Sequence, residues 1–247
     1  MLRNYLLVGC FLVSGLQATP IVNGGFDTGD LTGYTVDPGS NVITSPVVFT
    51  AADCTPATPV WCAAFPSATN SYAFLSSGPG IVNSGATDVS ILDTIPYLIT
   101  SSSASLSFVY DFLTADGFGD FFQVNVLSGA TITQLLLVPD SAAANLVFGS
   151  GICASAPESS LLCTDTGITP FTTAANALSA FNGQQVRFQF LVSDAGADDG
   201  FDSAAILDNL DGTGLQAVGA SGGTPEPGTI LLAGGALAAL VLRKLRS

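Results

Sequence analysis

Two stretches of this 247-residue chain repeat their apolar side chains with a period of two. Leu106, Phe108, Tyr110 and Phe112 are separated by Ser107, Val109 and Asp111; Val186, Phe188, Phe190 and Val192 are separated by Arg187, Gln189 and Leu191. A period of two belongs to an extended strand with one face buried, not to a helix. Residues 121–127 and 131–138 are two more strands, joined at Ser128-Gly129-Ala130 by a hairpin signal. Shorter β-branched or aromatic segments predict strands at 20–26, 34–36, 41–50, 72–76, 146–148 and 204–210. Residues 89–98 predict another, bent where Pro96 removes an N–H. Residues 27–33 carry turn chemistry, 51–70 and 150–170 are expected loops, and 172–181 a loop with one helical turn. Many short strands with glycine turns predict an all-β protein of the β-sandwich class.

Composition narrows the chemistry. Between residues 19 and 223 there are eighteen acidic residues and a single cation, Arg187, a net charge of −17. A polyanion does not bind phosphate backbones, so no nucleic-acid partner is expected. The chain has no histidine, which removes the usual general base at neutral pH and the histidine-dependent triads and metal sites. No lysine precedes residue 244, so Schiff-base chemistry is also missing. Glycoside hydrolysis by paired carboxylates is the main mechanism left. Glutamate occurs only at 158 and 226, however, and the expectation is no enzyme activity. Acid-rich surfaces offer oxygen ligands to divalent cations.

Cys54, Cys62, Cys153 and Cys163 lie between residues 19 and 223. An even number predicts two disulfides if the chain is exported, as its two ends imply below. Local pairing, Cys54 with Cys62 and Cys153 with Cys163, is one of three connectivities. Trp61, the only tryptophan, stands inside the first cysteine loop, where it either packs on the disulfide or offers a ring face to a sugar. Tyr34, Tyr72 and Tyr97 are weaker choices for such a platform.

The C-terminus has three parts in order: Pro225-Glu226-Pro227, an uncharged run over 229–242, and Arg243, Lys244 and Arg246. The prolines stop any preceding element. The apolar run from 228 to 242 makes a helix of about 22 Å, short for a bilayer core of about 30 Å. The terminal cations hold that end on the cytoplasmic side. These residues resemble the PEP-CTERM sorting signal of Gram-negative bacteria. The resemblance implies recognition and cleavage near the tripeptide by a membrane-embedded exosortase, with transfer to the cell surface or extracellular matrix. The N-terminus agrees. Arg3, an apolar stretch from 5 to 13 and small residues up to Ala18 predict a secretory signal peptide over 1–18. Cys10 follows a lipoprotein-like Leu7-Val8-Gly9, but too little apolar chain precedes it.

Three further segments resemble jelly-roll carbohydrate-binding-like domains: Asn23-Gly24-Gly25-Phe26-Asp27-Thr28-Gly29 with Gly33-Tyr34; residues 178–188; and Ile206-Leu207-Asp208-Asn209-Leu210. The resemblance implies a jelly-roll-like sandwich, with a structural calcium shared by Asp27 and Asp208. Two other acidic stretches, 116–120 and 194–202, are expected to be plain hairpin loops. The expected organisation is a signal peptide at 1–18, a β-sandwich at 19–212, a flexible linker at 213–224 and a sorting signal with a transmembrane helix at 225–247. The expected role is a structural or adhesive protein of the envelope or exopolysaccharide matrix. A polysaccharide-binding module and a carboxylate-based glycoside hydrolase are the alternatives.

Overall fold

The computed structural model describes residues 21–36, 46–49, 71–77, 88–114, 119–147, 163–194 and 203–219. In chain order the strands are β1 (Tyr34–Val36), β2 (Val47–Phe49), β3 (Tyr72–Ser76), β4 (Asp88–Thr94), β5 (Tyr97–Ile99), β6 (Ser105–Thr114) and β7 (Phe121–Ser128). They continue with β8 (Thr131–Pro139), β9 (Asn145–Val147), β10 (Cys163–Asp165), β11 (Thr169–Thr172), β12 (Gln185–Asp194), β13 (Ser203–Thr213) and β14 (Leu215–Ala217). They form two antiparallel sheets. The first runs β1-β4-β12-β7-β8, with β5 and β14 added beside the start of β12. The second runs β2-β3-β13-β6, and the far side of β6 carries both β10 and β11, with β9 beyond β10.

The two period-two stretches become β6 and β12, the hearts of opposite sheets. Their apolar faces meet. Phe108 meets Phe190 edge to face, with ring centroids 5.4 Å apart, and Tyr110 lies 5.4 Å from Phe122. Phe112, Phe122, Phe188 and Phe190 are fully buried. Each such side chain removed from water stabilises the fold by about 1.5–3 kcal/mol. The chain crosses between sheets from β6 to β7 and again from β12 to β13, as a jelly-roll-like sandwich does.

Most strand expectations hold; four do not. Residues 21–26 form turns rather than an opening strand, because Asn23 (φ +53°) and Phe26 (φ +52°) adopt left-handed backbone. The expected loop at 150–170 contains β10 and the start of β11, which pair with the free side of β6. Strand 204–210 runs on to Thr213 through an irregularity between Asp208 and Asp211. The expected linker at 213–224 begins with β14, held on β5 in register Leu215↔Ile99. The bend at Pro96 is present: β4 ends at Thr94 and β5 begins at Tyr97. The helical turn appears at Ser179–Phe181. The signal peptide, Trp61, Cys54, Cys62, Cys153 and the whole tail lie outside the described residues, as do most residues of both acidic loops. Among the described residues no helix is long and apolar enough to cross a membrane, and the run at 229–242 is not among them.

Candidate functional site

The outward face of the first sheet carries a row of polar side chains. Cross-strand register aligns Thr35 on β1, Asp93 on β4, Gln189 on β12, Asn125 on β7 and Gln134 on β8. Alternation puts all five on one face, because their neighbours Leu92, Phe190 and Val124 belong to the core. The row is internally bonded. Asn125 Nδ2 donates to Gln189 Oε1 at 3.1 Å, and Gln123 Nε2 donates to Asn125 Oδ1 at 2.6 Å. Arg187 Nη1 lies 3.0 Å from Asp93 Oδ2, so the one cation of the acidic body answers a buried acid here. Amides, a guanidinium and hydroxyls in a line are the groups that hydrogen-bond sugar hydroxyls. The alternation of β12 marks Arg187 and Gln189 as outward-facing in the sequence. It does not reveal which strands lie beside them.

The second candidate is the pair implied by the jelly-roll resemblance. The structure brings Asp27 and Asp208 within electrostatic reach of each other. The opening turn is clasped to β13: Leu210 N donates to Gly24 O at 2.8 Å. A Cβ on Gly24 would stand 1.9 Å from Leu210 O, so only glycine fits. Asn23 holds the turn closed, donating from Nδ2 to Asp30 O at 2.9 Å and accepting from Thr28 N at 3.3 Å. Phe26 stacks on Tyr34 at 5.1 Å, and Val22 N donates to the Tyr97 hydroxyl at 2.8 Å. Asp27 is exposed and Asp208 is buried. Burial pushes the Asp208 carboxyl up to about 6; the Asn209 N–H, 2.6 Å from Oδ1, pulls it down, and Asp27 pushes it up again. An all-oxygen pair that resists its own charge suits a hard cation. Among the described residues, no three His, Cys, Asp or Glu converge, so backbone carbonyls or water would complete a shell.

Tyr34, Tyr72 and Tyr97 are buried, which corrects the expectation that they offer ring faces to a sugar. Burial raises the Tyr34 and Tyr97 hydroxyl pKa values, as expected for phenols serving the interior. Of the cysteines, only Cys163 is described, in β10; the expected pairings involve residues outside the description. Trp61 and Pro225, Glu226 and Pro227 are outside it too.

An all-β sandwich with a polar sheet face and an exported tail is the class these features define. Residues 224–247 match the PEP-CTERM protein-sorting motif, which marks the chain as an exported protein of the exosortase-processed kind. A search of curated proteins finds no match. Among solved structures, the chain is similar to the module CBM27-1 of Caldicellulosiruptor saccharolyticus in complex with mannohexaose, at 15% identity and a TM-score of 0.43, covering 78% of this chain and 94% of that one. It is similar to CBM28, a carbohydrate-binding module specific for non-crystalline cellulose, at 11% identity and a TM-score of 0.46, covering 78% and 93%. It is as similar to a cyclase from Fischerella sp., at 15% identity and a TM-score of 0.43, covering 81% and 97%. Binding modules and an enzyme stand at the same distance, so this likeness decides neither ligand nor activity.

Proposed function

We propose that this chain is a non-catalytic structural or adhesive protein, delivered to the cell surface or the exopolysaccharide matrix of a Gram-negative bacterium. The sorting motif at 224–247 carries the reading. The apolar run holds the precursor at the inner membrane until its exosortase partner cuts near the tripeptide and releases the sandwich. The lack of histidine and the near-lack of glutamate support a body without catalysis. The test is mass spectrometry of the mature protein from its native host. The expected product starts after the leader and ends near Pro225-Glu226-Pro227, and replacing those three residues by alanine retains the precursor in the membrane fraction. A full-length protein in the cytosol refutes the reading.

The polar row favours a second reading in the same setting, a polysaccharide-binding face. A sugar chain crossing the strands would meet Thr35, Arg187, Gln189 and Gln134, while the buried Asp93 and Asn125 hold Arg187 and Gln189 in place. Glycan-array binding lost in Gln189→Ala or Trp61→Ala supports it; no binding on a broad array of matrix and cell-wall glycans removes it. The same body would carry a structural calcium between Asp27 and Asp208. A melting temperature that chelator lowers in the parent and leaves unmoved in Asp208→Asn is the expected sign.

A further inference from the structure

The far side of β6 holds a second pair of acids, Asp111 and Asp165, distant in sequence and belonging to neither candidate above. Asp111 faces away from the core, between Tyr110 and Phe112, and is 1% exposed. Asp165 ends β10 opposite Leu113, on that same face, and is 8% exposed. The turn that follows binds the two strands together. Thr166 N donates to Phe112 O at 3.0 Å, and Phe112 N donates to Thr166 Oγ1 at 3.0 Å. Asp165 Oδ1 accepts from Gly167 N at 3.0 Å.

Asp111 receives little in return. Thr166 Oγ1 is 3.3 Å from Asp111 Oδ1, but the same hydroxyl is 3.1 Å from Gly167 O. A hydroxyl has one proton, so it can serve only one of them fully. Asp111 Oδ2 is buried with no hydrogen-bond partner. Burial and the neighbouring Asp165 push the Asp111 carboxyl up to about 7. Protonation alone does not settle the site, because a proton on Oδ1 leaves Oδ2 buried and still without a donor. The only cation of the acidic body, Arg187, is on the other sheet with Asp93. What the site lacks is a positive charge that accepts oxygen ligands.

We propose that the Asp111 and Asp165 carboxylates, with the Thr166 hydroxyl, bind a divalent cation of the calcium type that pins β10 to β6. Every donor is a hard oxygen, which selects calcium or magnesium over softer metals. Calcium tolerates the irregular shell that a turn offers, and no third acid among the described residues joins the pair, so carbonyls and water complete it. Two carboxylates and a neutral shell place the affinity near that of extracellular calcium modules, with Kd on the order of 10⁻⁴–10⁻³ M.

The test is calcium chloride titration of the chelator-treated full protein by calorimetry, for the parent, Asp111→Asn, Asp165→Asn and Asp208→Asn. Asp111→Asn and Asp165→Asn are expected to weaken one site by about tenfold or more, since each removes a carboxylate ligand. Asp208→Asn leaves that site intact, which separates it from the Asp27–Asp208 pair. Circular dichroism checks that each variant is folded, and Asp165→Asn stands in if Asp111→Asn is not. No calcium uptake at millimolar concentration overturns the proposal. So does parent-like titration of both Asp111→Asn and Asp165→Asn, or loss of all binding in Asp208→Asn.

Discussion

The two sheets treat a buried acid on their outward faces in opposite ways. On the first, Asp93 is 3% exposed and meets Arg187 at 3.0 Å within a row of bonded amides. On the second, Asp111 is 1% exposed and has another acid, Asp165, for a neighbour in place of a cation. The difference follows from composition. A body with one cation can answer one buried carboxylate internally. Every other buried acid depends on neutral donors, such as backbone N–H groups or the Ser203 hydroxyl that serves Asp120, on a proton, or on an ion from outside. Asp208 is intermediate, with the Asn209 N–H on one oxygen and an exposed acid nearby.

The contrast can be broken from either side. The largest effect is expected from Gly24→Ala. Its Cβ would collide with Leu210 O, costing about 3 kcal/mol in urea unfolding, and would lift the opening turn from Asp208 while leaving Asp111 untouched. Arg187→Ala comes next, at about 2 kcal/mol, because Asp93 loses its charged partner but stays buried. A melting series in chelator follows. Asp208 and Asp111 have folded pKa values raised to about 6 and about 7, so their contribution to stability is complete below about pH 4, the unfolded range. It is lost as the pH rises through 6 and then 7. The melting temperature should fall by several degrees from pH 5 to pH 8, and calcium should reduce the fall. Asp111→Asn should flatten the upper part of that curve and Asp208→Asn the lower, each gaining about 1 kcal/mol at pH 8 in chelator by deleting a buried charge. Gln134→Ala should stay within about 0.5 kcal/mol of the parent, as an exposed member of the polar face. A large loss there would mean the row is part of the core's support and not a free surface.

Strands that bury one face fully were legible from the sequence. β3 matches its expected bounds to the residue, and β6 and β12 declare themselves through Phe108, Tyr110, Phe188 and Phe190. β10, β11 and β14 were not: unlike the equally short β1, with its Tyr34-Thr35-Val36, they sit in stretches that read as loop or linker and become strands only by finding β6 or β5. The opening turn was misread for a related reason. Ile21-Val22-Asn23 looks extended locally, while contact with Leu210 is what selects the left-handed backbone at Asn23 and Phe26. Asp27 with Asp208 came from a family resemblance and not from any spacing. Asp111 with Asp165, and the row through Asp93, Gln189 and Asn125, depend on which strands are neighbours, and a one-dimensional pattern does not encode that.

β8 lies at the rim of the first sheet, and among the described residues it pairs with β7 alone. Its nine residues, Thr131–Pro139, include no charge, and Ile132 and Leu137 are exposed. Edges of this kind are normally guarded by lysine or other charges against joining a second strand. Here Pro139 and Asp140 stand at one end of the strand, while the acidity of the rest of the molecule drives copies apart. Crowding therefore acts unevenly on this protein: salt or bound metal that quiets its long-range repulsion leaves the long uncharged seam of β8 ready for a neighbour.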